Sequence, residues 1–105
     1  TGTFPISVGL AWDIKLRGGS EKVHVFAGEM GAESGAFHEC LKYSRAHKLP
    51  IRFIVEDNFR SVCTDTRATW AMDKLTYEGM DDEYVYYYQY KPKYPHSGGL
   101  KRIQF

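Results

Sequence analysis

Two β-branched and aromatic runs, Val23-His-Val-Phe-Ala and Ile51-Arg-Phe-Ile-Val, flank a segment of helical periodicity. This arrangement constrains the chain more than any other feature. The first run ends at Gly28 and the second at Glu56-Asp57-Asn58. Between them Ser34 to Lys48 carries the helix-type pattern, with Phe37, Leu41, Ser44 and Ala46 on its inward side. A strand–helix–strand unit with this connection length predicts a right-handed crossover joining parallel neighbours. Parallel strands end at the same edge of a sheet. The turns after Ala27 and Val55 are therefore expected side by side, where open α/β sheets bind ligands. Glu29 and Asn58 become candidates for one site.

The rest of the chain fits around this unit. From Ile6 to Leu16 the residues Val8, Ala11, Trp12 and Leu16 recur at helical spacing, and Pro5 suits a first helical turn. Gly9 inside that helix costs about 1 kcal/mol against alanine, which predicts close approach of another backbone. Arg17-Gly18-Gly19-Ser20 stops the helix. Phe59 to Arg67 reads as loop, Ala68 to Leu75 as a short helix, and Glu78 to Glu83 as an acidic turn. Tyr84 to Tyr90 reads as an edge or interface strand with Tyr84, Tyr86, Tyr88 and Tyr90 on one face. Lys101-Arg102 belongs to a solvated basic tail. The fold class is α/β, a small parallel sheet with flanking helices, in a single domain spanning residues 1–105.

Composition narrows the function. A formal charge of +1 leaves no electrostatic footprint for nucleic acid or an anionic membrane surface. No apolar run approaches bilayer length, and no secretory leader is expected. Cys40 and Cys63 form neither a disulfide framework nor a zinc pattern. The expectation is a cytoplasmic protein with two reduced thiols.

The two polar turns define the chemistry on offer. An acid after one strand and an Asp-Asn pair after the next supply oxygen ligands for a hard cation such as Mg2+, which is held by one or two protein groups plus phosphate oxygens. The Gly28–Gly35 turn leads into a helix N-terminus, whose free donors and dipole favour phosphate. The plain alternative is a set of solvated loop acids with Ser34 as a helix cap. Among the histidines, His24 reads as a core or sheet-face residue, His38 with Glu39 as helix packing, and His47 as a C-terminal cap. His96, in a glycine- and proline-rich loop, is the catalytic candidate among them. Cys63 reads as an inert thiol.

Gly28-Glu29-Met30, followed at the right distance by Glu56-Asp57-Asn58, resembles the thiamine diphosphate signature that runs from Gly-Asp-Gly to a terminal Asn-Asn. The intervening GAFHECLKYSRAHKLPIRFIVEDN is similar to the alpha subunits of 2-oxo acid dehydrogenase decarboxylating components, and more distantly to transketolases. The lead-in TGTFPISVGLAWDIKLRGG resembles the helix before that motif, including Pro5, Gly9 and Ala11. The likeness covers residues 1–66, and residues 67–105 diverge from it.

The resemblance implies a shortened thiamine diphosphate-binding fold using thiamine diphosphate and Mg2+. Glu29 stands where the family has its metal-binding aspartate, Asn58 at the metal-binding asparagine, and the backbone carbonyl of Arg60 where a third ligand is supplied. Gly28, Met30 and Gly31 would line the diphosphate. Three departures stand out: Glu29 for aspartate, Met30 for glycine, and Asp57 for the first asparagine. Met30 is expected to forbid cheap positive-φ geometry, and Asp57 to add an anion near the phosphates unless it points away. A fainter likeness joins Tyr88 to Ser97 with the strand before Gly-His-Ser, which would bring His96 to the phosphates. The resemblance further implies a partner subunit or domain that grips the aminopyrimidine and supplies the activating glutamate, hence a homo- or hetero-oligomer. Against this enzyme component stand a truncated or degenerate non-catalytic relative acting as a binding or assembly module, and a generic phosphate-binding α/β domain.

Overall fold

Helix α1 spans Thr3–Leu16, earlier than the apolar spacing predicts, with Gly2 at its N-cap. Pro5 lies in its first turn, where a missing backbone donor costs nothing. The inward side is Phe4, Val8, Ala11 and Ile14. Leu16, expected inside, is 77% exposed, and Trp12 is only partly buried. Gly9 meets no atom within 4 Å of where a Cβ would stand, so no close backbone approach explains it. Because α1 is apolar nearly all round, Ile6 and Leu10 also face solvent.

A computed structural model describes residues 1–96; Ser97 and the Lys101-Arg102 pair lie outside the described residues. Strand β1 (Val23–Gly28) and strand β2 (Ile51–Asp57) are parallel neighbours in the register Val23↔Ile51 to Gly28↔Glu56. The connection carries a single helical turn, α2 (Glu29–Ala32), and then α3 (Gly35–Ala46). The turn expected over Gly28–Gly35 is thus partly helical. Ser34 caps α3 by accepting from the Phe37 amide at 3.3 Å. Phe37, Leu41 and Ser44 point inward at i, i+4 and i+7, whereas Ala46 is exposed.

Beyond β2 the expected loop is a small hairpin of β3 (Arg60–Ser61) and β4 (Thr64–Asp65). Helix α4 follows at Thr66–Trp70, earlier and shorter than the segment read as helical, because Asp65 caps it by accepting from Ala68 at 2.8 Å. Ala71 then ends it in the left-handed region at φ 52°. Strand β5 (Val85–Gln89) is the parallel edge partner of β2, giving the order β1-β2-β5.

The core lies between the helices and one face of this sheet. Phe37 is fully buried with its ring centroid 5.3 Å from Phe4, 5.1 Å from Phe53 and 5.0 Å from Tyr77. The other face presents His24 and Phe26 on β1, Tyr86 and Tyr88 on β5 and Tyr90 just past its end, with Phe26 60% exposed. Tyr84, expected on that face, precedes the strand and packs against the core. Neighbouring tyrosine rings on that face sit 5.9 and 6.1 Å apart. His24 is therefore a sheet-face residue and not a core one. His38 packs on Tyr77, and His47 caps α3 between Trp12 and Tyr43. No helix of the described residues is long and apolar enough to cross a membrane.

Candidate functional site

The parallel register places the ends of β1 and β2 together. A cavity of about 230 Å³ opens there, lined by Gly28, Glu29, Met30, Gly31, Glu56, Asn58, Arg60, Ser61, Val62, Tyr90 and His96. Gly28, Glu29, Met30, Gly31, Asn58 and Arg60, the residues proposed for cation and diphosphate, face this one space together with His96, whereas Asp57 and Ser34 do not line it. The position matches the edge where open parallel sheets take ligands.

Glu29 opens α2 and is 3% exposed, an unusual burial for a carboxylate. Its Oε1 accepts from the Thr66 hydroxyl at 2.6 Å. Asn58 is half-buried, and its Oδ1 accepts from the Arg60 amide at 3.0 Å, closing an Asx turn that directs the hairpin. Phe59 and Val62 sit at φ 70° and 58°, so the segment around Arg60 is backbone-strained. The cavity thus has a carboxylate on one wall and an amide oxygen and hairpin backbone on the other. These hard oxygen donors suit Mg2+ better than a soft or imidazole-seeking metal. Among the described residues no group of three or more His, Cys, Asp or Glu side chains is placed to hold a metal. The oxygens that the cavity offers are those of Glu29 and Glu56, the Asn58 amide and the hairpin backbone.

Met30 lies in α2 with an ordinary helical backbone, so the positive-φ penalty expected of it does not arise. Its sulfur accepts from the Trp70 indole at 3.2 Å. The N-terminus of α3, expected to meet phosphate, does not line the cavity; Ser34 caps it instead.

Asp57 points away from the cavity. It is fully buried, accepts from Arg67 at 2.8 Å and from the Phe59 amide at 2.7 Å, and takes the Tyr87 hydroxyl. Burial alone would raise its carboxyl, but Arg67, Tyr87 and the Phe59 amide outweigh that and hold it below the ordinary range. Arg67 also reaches Glu78 at 2.7 Å, and the Asp57 contact raises its pKa further. Burial, then Asp57, pushes Tyr87 up to about 12. The departure from asparagine at this position builds an ion network beneath the site, without placing a free anion in it.

Two residues that matter here were not singled out from the sequence. Thr66 is signalled only by the Asp65 cap that starts α4 and sets its place. Glu56 lines the cavity and accepts from the Tyr88 hydroxyl, a pairing that the Glu56↔Tyr88 register dictates. Cys63 is exposed at the hairpin tip and does not line the cavity. Burial raises the Cys40 thiol, which leaves it a poor nucleophile.

The family model for the dehydrogenase E1 component matches residues 1–85, past the Thr66 limit of the likeness and as far as the start of β5. No curated protein matches the chain.

Proposed function

The chain belongs to the dehydrogenase E1 component family, which is thiamine diphosphate-dependent, and from that premise we propose that it is the Mg2+- and diphosphate-holding component of a 2-oxo acid dehydrogenase or transketolase-like enzyme, active with a partner chain. One observation carries the reading. The family match coincides with a cavity, at the C-terminal ends of β1 and β2, that gathers Glu29, Asn58, Arg60 and the Gly28–Gly31 segment. The donor set fits a hard cation: Glu29 and Asn58 contribute side-chain oxygens, and Arg60 its backbone carbonyl. Gly28, Met30 and Gly31, which line the cavity, would lie against the diphosphate. When bound, thiamine diphosphate supplies a carbanion-stabilising centre for cleaving the bond next to a 2-oxo group. This chain's residues bind and orient it. Thr66 fixes the Glu29 carboxylate, the Asx turn fixes Asn58 relative to Arg60, and His96 stands at the cavity for a contact to phosphate.

Among the described residues Glu56, engaged by Tyr88, is the acid besides Glu29 that faces the cavity, so the activating glutamate is assigned to the partner. Two exposed apolar faces support such a partner, in a homo- or hetero-oligomer: Ile6, Leu10 and Leu16 on α1, and Phe26 with the β5 tyrosines on the sheet. A second reading, a degenerate relative that binds without turnover, is favoured by Met30, whose side chain stands at the cavity where the family pattern has glycine. Calorimetric titration of thiamine diphosphate with and without Mg2+ decides the matter. Magnesium-dependent heat is expected; none, even with a partner chain present, sinks the enzyme reading.

A further inference from the structure

Thr66 is fully buried, and its hydroxyl donates to Oε1 of Glu29 at 2.6 Å. Its amide donates to the carbonyl of Phe59 at 3.2 Å. Phe59 lies between Asn58 and Arg60, so one residue joins the wall that carries Glu29 to the turn that carries the other oxygens. A threonine at a helix start usually serves its own helix as cap. Here Asp65 takes that role by accepting from Ala68, which leaves the Thr66 hydroxyl committed to Glu29.

Resting on the cation reading above, we infer that Thr66 is a positioning residue that holds Glu29 as a single-oxygen donor and so biases the site toward Mg2+ over Ca2+. A carboxylate can meet a cation through one oxygen or through both. A hydroxyl on Oε1 takes up part of that oxygen's acceptor capacity and fixes the carboxylate plane, so Oε2 is the oxygen presented. Mg2+ demands near-octahedral geometry, which a single-oxygen carboxylate satisfies. Ca2+ accepts larger, looser shells in which two-oxygen carboxylates are common. The tether weighs more for a glutamate than for an aspartate, because the extra methylene adds rotamer freedom that must otherwise be frozen on binding.

The test titrates MgCl2 and CaCl2 separately into the full chain with thiamine diphosphate present, followed by calorimetry and by the fluorescence of Trp70, whose indole touches Met30 at the cavity wall. The wild type is expected to prefer Mg2+. Thr66→Val, which keeps the shape and loses the hydroxyl, should lower Mg2+ affinity about tenfold or more, as loss of an outer-shell partner does. Its Ca2+ affinity should change less, so the preference narrows or inverts, while Thr66→Ser restores the wild-type ratio. Thr66→Ala, which also lacks the hydroxyl and adds no bulk, replaces Thr66→Val if circular dichroism shows the latter unfolded. A wild type that binds Ca2+ as tightly as Mg2+, or an unchanged ratio in the hydroxyl-free variant, overturns this inference alone. Absence of cation-dependent heat in the wild type overturns the cation reading and this inference with it.

Discussion

Arg67 of α4 reaches the fully buried carboxylate of Asp57, the last residue of β2, at 2.8 Å. That contact, with the Tyr87 hydroxyl and Glu78, welds α4 and β5 onto the strand end that carries Asn58. The first prediction follows from its sign. Asp57 titrates below the ordinary 3.8 in the folded chain, so the unfolded chain binds the proton first on acidification. The stabilisation is complete above that value and is lost as pH falls through the lower, folded one. Asparagine loses the charge-assisted bonds to Arg67 and Tyr87 while Glu78 still compensates Arg67, so Asp57→Asn should cost about 2 kcal/mol at neutral pH. Urea unfolding across the acid range should also show a shallower decline for the variant. Equal stability of Asp57→Asn and wild type at neutral pH would refute this account of the network.

Alkali should expose a second linkage. The Glu56 carboxylate, followed by partial burial, pushes Tyr88 up to about 12, and burial with Asp57 does the same for Tyr87. A phenol raised above its ordinary 10.0 keeps its proton in the folded chain after the unfolded chain has released it. Stability is therefore present below pH 10.0 and declines as pH rises toward about 12. Spectrophotometric titration should resolve a late-ionising class of tyrosines, and Glu56→Gln should return one member to the ordinary range. A titration in which Glu56→Gln changes nothing would remove Glu56 as the cause.

Strain near the site predicts a gain from mutation. Val62 is β-branched, 48% exposed and held at φ 58°, where an L side chain costs about 1–2 kcal/mol per residue. Little apolar burial offsets that cost. Val62→Gly should stabilise the ligand-free chain by about 1 kcal/mol after glycine's own entropy penalty is subtracted, which raises Tm by about 4 °C or more at this size. Thermal unfolding followed by circular dichroism measures it. A lower Tm for Val62→Gly would show that the valine's contacts outweigh its backbone strain.

How far the sequence reveals this molecule depends on whether a residue's role is local. The β1–α3–β2 crossover was legible because Phe37, Leu41 and Ser44 repeat at helical spacing between two strand runs, and parallel strands must share an edge. The tyrosine strand was legible for the same reason, since its alternation survives as a buried Tyr87 between the outward Tyr86 and Tyr88. The gathering of Gly28, Glu29, Asn58 and Arg60 around one cavity followed from that topology. Thr66 was not legible, because its hydroxyl bonds a carboxylate 37 positions away and nothing in its neighbourhood announces the pair. Asp57 misled for the same reason. Its direction was decided by Arg67 and Tyr87, which come near it only after α4 and β5 have packed. Leu16 misled because a helix apolar on every side does not reveal which side faces inward.

The sharpest test of the site falls on Asn58. Its amide oxygen is asked to do two things: hold the Asx turn to Arg60 at 3.0 Å and face the cavity opposite Glu29. Asn58→Ala removes both. The lost turn bond costs about 1 kcal/mol of stability, and the lost ligand should lower magnesium-dependent thiamine diphosphate binding about tenfold or more. Asn58→Asp keeps an oxygen in the same place, so it should recover the turn and most of the cation affinity. The control is His24→Ala, an exposed sheet-face change outside the cavity lining, which should leave binding at the wild-type level. Calorimetry on the three variants, with circular dichroism giving the folded fraction, separates the contributions, because lost stability lowers the fraction that binds while a lost ligand lowers the affinity of the folded chain. If Asn58→Ala binds as His24→Ala does, the oxygen at the end of β2 is not a ligand and the cavity does not serve the cation.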